Sequence, residues 1–262
     1  MSVAARWRPS PAIQGSFAVH GAAALGGLLA PAEWPWALGA VAANHAALTV
    51  AGLLPRSSLL GPNLTRLPAT AAARGEVALT LDDGPDPEIT PRVLDLLDAA
   101  GVRASFFCIG RRARLAPALC RAIVARGHRV ENHGDSHSWA FSAFGPRRMR
   151  ADIAAAQALL ADISGQAPRF FRPTAGLRNP FLDPLLHALE LRLAAWSRRA
   201  YDTREGRPEV VLQRLTRGLA PGAILLLHDG HSARTPAGTP VILDVLPRLL
   251  AQLAERGLRS VT

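Results

Sequence analysis

From Gly75 onward, short apolar runs alternate with longer stretches of helical periodicity, and the first run ends abruptly in paired carboxylates: Val77–Asp86 reads VALTLDDGPD. Such alternation restricts the chain to an α/β fold with a largely parallel sheet or barrel. Strands are expected at Val77–Leu81, Ala104–Cys108, Arg129–Glu131, Arg169–Phe171, Arg192–Trp196, Ala223–Leu227 and Leu258–Val261. Helices are expected at Thr90–Ala99, Pro117–Arg126, Arg147–Asp162, Pro208–Gly218 and Val241–Arg256. Thr90 before Pro91 reads as a cap followed by a first-turn proline, and Gly101 and Gly127 read as helix stops.

At 262 residues and 49% hydrophobic composition, the chain can bury a sizeable core and is far from a disordered composition. Its formal charge is +10, and all 30 basic residues are Arg. With abundant Ala, Gly and Pro, that bias fits a GC-rich bacterial genome. The arginines are spread along the sequence rather than run together, so nucleic acid is not expected as a partner; attraction to anionic lipid stays open. Cys108 and Cys120 form no Cys-x-x-Cys pair and read as free, reduced thiols.

Between Pro11 and Leu54 the only formally charged residue is Glu33. Pro11–Ala30 and Trp34–Leu54 each approach the roughly 20 helical residues that span about 30 Å of hydrocarbon. Trp34 and Trp36 suit an interface. Three readings compete: a membrane hairpin, a signal segment with Ala40–Ala42 as its small-residue site, and an amphipathic or buried soluble hairpin. For a membrane hairpin, Arg6 and Arg8 before it and Arg56, Arg66 and Arg74 after it place both ends, and the domain that follows, on the cytoplasmic side of a bacterial inner membrane. A signal segment would mean export instead. Arg56–Arg74 lacks periodicity and reads as a linker. The expected division is therefore 1–70, hairpin plus linker, and 71–262, a second domain.

The chemistry-bearing residues gather at strand ends, where α/β folds place their sites. Asp82 and Asp83 stand too close to ionise together cheaply in a dry site, so they imply a metal, a shared proton or an exposed turn. His133 and His137, at i and i+4, would face one way on a helical turn and could grip one ion. Asp135 between them reads as a solvated loop residue. Arg172, Asp202 and His228 follow other candidate strands, and a His so placed can serve as a general acid.

Thr80-Leu81-Asp82-Asp83-Gly84-Pro85, His133-x-x-x-His137, Arg172-Pro173-x-x-Gly176, Asp202 and Leu225-x-Leu227-His228 follow in order the motifs of the polysaccharide deacetylases, the NodB-homology enzymes of carbohydrate esterase family four. The resemblance spans about Gly75–Val261. It implies a distorted (β/α) barrel with about seven strands, here preceded by an apolar N-terminal helical hairpin. It also implies one divalent metal, zinc in the first instance, with cobalt or another metal as alternatives. By the resemblance Asp83, His133 and His137 are ligands, Asp82 is the base and His228 the acid. Arg172 holds Asp82, Asp202 orients His228, and the oxyanion is met near the Ala175 backbone.

Three positions depart from the family pattern. Gly134 stands where Ser or Thr is common, Ala175 where an aromatic is common, and Thr203 where Trp is common. Aromatics at the last two positions usually wall a sugar groove. The expected function is metal-dependent removal of an acetyl or formyl group from an amino sugar, with a lipid-linked sugar favoured over a long polysaccharide. The rival is a non-catalytic glycan- or lipid-binding module that kept the fold, but such a module needs neither Asp82 nor His228. A glycosidase using Asp82 and Asp83 is disfavoured, since its carboxyls must flank a bond about 5 Å or more apart.

Overall fold

Eight strands form one parallel sheet in this computed structural model, which describes residues 6–262. They are β1 (Glu76–Asp82), β2 (Ser105–Cys108), β3 (Arg129–Asn132), β4 (Phe170–Phe171), β5 (Arg192–Leu193), β6 (Arg198–Arg199), β7 (Ile224–His228) and β8 (Arg259–Ser260). Their order is β5-β4-β3-β2-β1-β7-β6, with β8 beside the start of β1. The sheet curls into the expected distorted barrel. The expected strand at Arg192–Trp196 shortens to β5, and β6 is additional. Two consecutive arginines show neither alternation nor apolar character, so the sequence pattern conceals that strand.

Helices cover the outside: α3 (Ala69–Ala73), α4 (Ile89–Ala99), α5 (Gly110–Leu115), α6 (Pro117–Ala125), α7 (Pro146–Ser164), α8 (Leu182–Ala188), α9 (Pro208–Thr216) and α10 (Val241–Glu255) follow two N-terminal helices described below. Alternation along β1 divides its side chains between two faces. Val77, Leu79 and Leu81 join the main core with buried residues of α4, α9 and α10. Ala78 joins Trp196, Ile224 and Leu226 in a second cluster, while Thr80 and Asp82 meet Arg172, the largest fully buried side chain. Cys108 and Cys120 are both free and buried.

Two local expectations change. The cap of α4 is not Thr90, which lies inside the helix; the Asp86 carboxylate instead accepts the Glu88 and Ile89 N–H groups at 2.9 and 3.0 Å. The expected linker is fastened to the sheet. Leu64 N–H donates to Leu193 O, Ala195 N–H donates to Leu64 O, and Leu67 N–H donates to Gly222 O. Leu64 and Leu67 pack on the Trp196 cluster. This segment thus laces the open edge at β5 to the start of β7, satisfying backbone groups that an edge strand leaves bare.

The N-terminal helices α1 (Pro11–Leu29) and α2 (Trp34–Leu53) form an antiparallel hairpin around the turn Pro31–Glu33. Both are long and apolar enough to cross a membrane, and only 11% of each apolar window is buried. That exposure does not suit a buried soluble hairpin. Asn44 Nδ2 donates to Ser16 Oγ at 2.8 Å, clipping the two helices together.

Candidate active site

Strand register assembles the site. Asp82 of β1 pairs in register with Phe107 of β2 and with His228 of β7. Asn132 of β3 pairs with Phe171 of β4, so the next residues, His133 and Arg172, leave the sheet side by side. Parallel strands all end on one rim, which is why residues up to about 145 positions apart meet there.

The Arg172 guanidinium is buried and fully engaged. Nη1 donates to Asp82 Oδ1 and to Thr80 Oγ1 (3.0 Å), Nε to Ala194 O (3.1 Å) and Nη2 to Ala195 O (2.9 Å). Its Cζ lies over the Phe107 ring, 3.9 Å from the ring centroid. Burial alone would pull Arg172 below its ordinary value most strongly; the Asp82 charge opposes that. A buried cation of this kind fixes one Asp82 rotamer and one carboxylate oxygen.

Asp83 takes a left-handed backbone (φ 72°), which turns its carboxylate toward the two histidines. Asp83 Oδ1 lies 3.2 Å from His133 Nε2 and 2.9 Å from His137 Nε2. One ligand atom from each of these residues lies within 4.8 Å of the other two. Burial would raise the Asp83 carboxyl, but hydrogen bonds from His133, His137 and His231 outweigh it and hold Asp83 well below the carboxylate range. His133 is lowered by burial yet raised overall by Asp82 and Asp83, whereas burial leaves His137 lowered. The donor set suits a divalent ion. The Arg172 carbonyl accepts from His133 Nδ1 at 2.7 Å, so a proton is kept on Nδ1 and Nε2, 3.2 Å from Asp83 Oδ1, is the atom that would give up its proton to ligate an ion. Two imidazoles and one carboxylate leave positions open for water and substrate.

The histidine pair does not sit on a helical turn. His133 follows β3 and His137 closes an irregular loop with φ 48°. Asp152 shapes that loop by accepting the N–H groups of Asp135 (3.1 Å) and Ser136 (3.0 Å). Gly134 has φ 77°, and a Cβ there would come within 2.7 Å of Asp152 Oδ2, which accounts for glycine in place of Ser or Thr. Asp135 is not merely solvated, since Arg114 donates to it at 3.0 Å.

His228 is set by Asp202. Asp202 Oδ2 accepts the His228 backbone N–H and Oδ1 accepts from Nδ1, both at 2.8 Å. Burial would lower His228, but the Asp202 charge and hydrogen bond raise it to about 9. Beside it, burial pushes Asp229 up to about 7 against the hydrogen bond from Thr90, whose hydroxyl donates to Asp229 Oδ2 at 2.5 Å.

A cavity of about 920 Å³ opens over these groups. Asp82, Asp83, His137, Ala175 and His228 line it, and Ala175 adopts φ 56°. Ala175 and Thr203 do leave the wall without their aromatics, yet Trp139 and Trp196 line the same cavity and supply aromatic surface from other elements. His231 was not anticipated from sequence. Arg112 donates to His231 Nε2 at 2.8 Å, so its Nδ1–H is directed to Asp83 Oδ2 at 3.2 Å. Its only sequence signal is a second His three residues after His228.

The family described as polysaccharide deacetylase matches residues 70–194. A peptidoglycan-N-acetylglucosamine deacetylase of Bacillus cereus is 32% identical over 194 residues, covering 72% of this chain and 67% of its own. A chitooligosaccharide deacetylase of Sinorhizobium fredii is 33% identical over 202 residues, covering 74% and 93%. The solved family 4 carbohydrate esterase of Streptomyces lividans, in complex with acetate, superposes with a TM-score of 0.65 at 31% identity, covering 72% of this chain and 92% of that one.

Proposed function

Because the chain belongs to the polysaccharide deacetylase family, a group of carbohydrate N-deacetylases, we propose that it hydrolyses the N-acyl group, acetyl or formyl, of an amino sugar carried on a lipid. The observation that carries this reading is the facing pair Asp82 and His228, in register on adjacent strands beside the Asp83–His133–His137 cluster.

An amide is a poor electrophile and neutral water a poor nucleophile. A divalent ion, zinc foremost, held by Asp83, His133 and His137 would polarise the acyl carbonyl and lower the pKa of bound water toward about 7. Asp82, pinned by Arg172, accepts a proton from the attacking water as its oxygen bonds to the carbonyl carbon. The Ala175 backbone N–H is assigned to the oxyanion. His228, kept protonated by Asp202, gives its proton to the leaving nitrogen as the C–N bond breaks. The products are a free amino sugar and a small carboxylic acid. Positioned proton transfer of this kind contributes about 10²–10⁴-fold.

The lipid carrier is supported by the exposed apolar hairpin and by the missing aromatics at Ala175 and Thr203. In this reading residues 1–70 are a membrane hairpin with its connecting segment, and 71–262 form the catalytic domain on the cytoplasmic face. The full chain in detergent, incubated with acylated amino-sugar lipids, should release acetate or formate, and Asp82→Ala or His228→Ala should abolish release. Undiminished release from both variants would defeat the assignment. Recovery of the chain in soluble or exported fractions would defeat the membrane placement.

A further inference from the structure

The arginines that look scattered in sequence converge in space. A second cavity of about 410 Å³ is lined by Arg56, Arg198, Arg199, Arg214 and Arg217, together with Pro55, Trp196 and Tyr201. Trp196 and Arg199 also line the catalytic cavity, so the two cavities adjoin and share these side chains as a common wall. Among the described residues no carboxylate lies within ion-pair distance of Arg56, Arg198, Arg199 or Arg217. The one acid that reaches the cluster, Glu205, stands 3.5 Å from Arg214 and is already held by Arg207 at 2.7 Å. The Arg199 Nε is buried without a hydrogen-bond partner, while its guanidinium is steered by the Trp196 and Tyr201 rings at 5.1 and 4.8 Å.

Guanidinium groups repel one another, so an uncompensated cluster in a concave site is arranged for an anion. Their planar forks match phosphate oxygens in pairs. The position narrows the source of that phosphate. Pro55 and Arg56 follow α2 after the single residue Leu54, so the cluster stands at the foot of the apolar hairpin. Building on the proposed deacylation, we propose that this arginine cavity is a phosphate subsite for a glycosyl phosphate or pyrophosphate: the acylated sugar enters the catalytic cavity, its anomeric phosphate sits among the arginines, and a lipid tail runs along the hairpin.

The test uses the full chain in phosphatidylcholine nanodiscs. Inorganic pyrophosphate should bind, and the double variant Arg198→Gln/Arg217→Gln should weaken binding by about tenfold or more, the usual effect of losing charged hydrogen bonds. The acylated amino sugar 1-phosphate should be turned over at a kcat/KM at least about tenfold above the neutral sugar, and the variant should lose that preference. Preference for a polyprenyl-linked over a nucleotide-linked sugar supports the lipid source. The reverse preference keeps the phosphate subsite but overturns the lipid. Absence of pyrophosphate binding, with equal turnover of neutral and phosphorylated sugars, overturns the subsite and leaves the deacylase reading standing. Pyrophosphate binding without acid release from any sugar overturns the deacylase reading instead.

Discussion

Asp202 holds His228 at two points, accepting the backbone N–H with Oδ2 and the ring Nδ1–H with Oδ1, each at 2.8 Å. The second contact fixes the ring so that Nε2 is the proton presented to the cavity. It also raises His228 to about 9 against the lowering effect of burial. Because the acid must be protonated, kcat should persist up to about pH 9 and fall above it. Asp202→Asn keeps the shape but removes the charge, so the alkaline limb should move toward the ordinary His value of about 6.5. A pH–rate profile checks this, and an unmoved limb would exclude His228 as the acid.

The same shift has a stability consequence. A histidine raised in the folded state contributes stability that is fully present below about pH 6.5 and is lost as pH rises through about 9. Asp202→Asn should therefore cost stability at pH 6 and much less at pH 10, as read from thermal melting at both values.

Arg172 is the hub of the barrel interior, and among the described residues Asp82 is its only ionic partner. Arg172→Met leaves the Asp82 carboxylate buried and unpaired. Breaking a buried pair in this way costs about 3–5 kcal/mol. Arg172→Lys should rescue little, since a single ammonium cannot reach Asp82, Thr80 and two backbone carbonyls together. Denaturant unfolding of both variants measures the difference.

Purified protein should contain about one divalent ion per chain after reconstitution, and Asp83→Ala or His133→Ala should abolish it. Elemental analysis beside thermal melting gives two readouts. Binding to the folded state alone raises the melting temperature with the logarithm of ligand excess. His231→Ala removes the Nδ1–H directed to Asp83 Oδ2 and should weaken metal affinity about 10–100-fold while leaving the stoichiometry at one. No specific binding after reconstitution with zinc or cobalt would favour a glycan- or lipid-binding module.

Asp229 acts in the same sense as His228 but over a lower pH window, and here burial raises the group rather than lowering it. Burial raises its carboxyl to about 7, so the folded state retains a proton that the unfolded chain releases near pH 4. Its contribution to stability therefore declines between about pH 4 and 7 and stays flat above. Asp229→Asn should flatten that slope and stabilise the protein above pH 7, and melting curves across pH 4–8 would show it.

The catalytic strand ends were legible because the apolar runs of β1 and β7 stop at a charged or ring-nitrogen residue, at Leu81–Asp82 and Leu227–His228. Parallel register then brings such ends together without further information. What the sequence hid depends on distant partners. Leu64–Leu67 reads as irregular chain because its hydrogen-bond partners, Leu193, Ala195 and Gly222, lie more than 120 positions away. Spacing of i and i+4 at His133 and His137 fits a loop as well as a helix, and Asp152 selects the loop. Arg56, Arg198 and Arg217 look like coding bias until the fold gathers them around one cavity.

The hairpin and the catalytic loop share a contact that gives a final test. The Arg178 N–H donates to Gly52 O at 3.1 Å, and a Cβ at Gly52 would lie 2.1 Å from the Arg178 carbonyl oxygen. Backbone cannot yield there as the end of a flexible side chain would, so Gly52→Val must separate the last turn of α2 from the loop after Arg172 and Ala175. The apolar length of the hairpin is unchanged, so membrane association should persist. Activity should fall by about 10²-fold, because a displacement of about 1 Å at a positioning element has that effect. Flotation with lipid vesicles and acid-release assays on the same preparation separate the two. Retained flotation with retained activity would show that the hairpin anchors the protein without shaping its site.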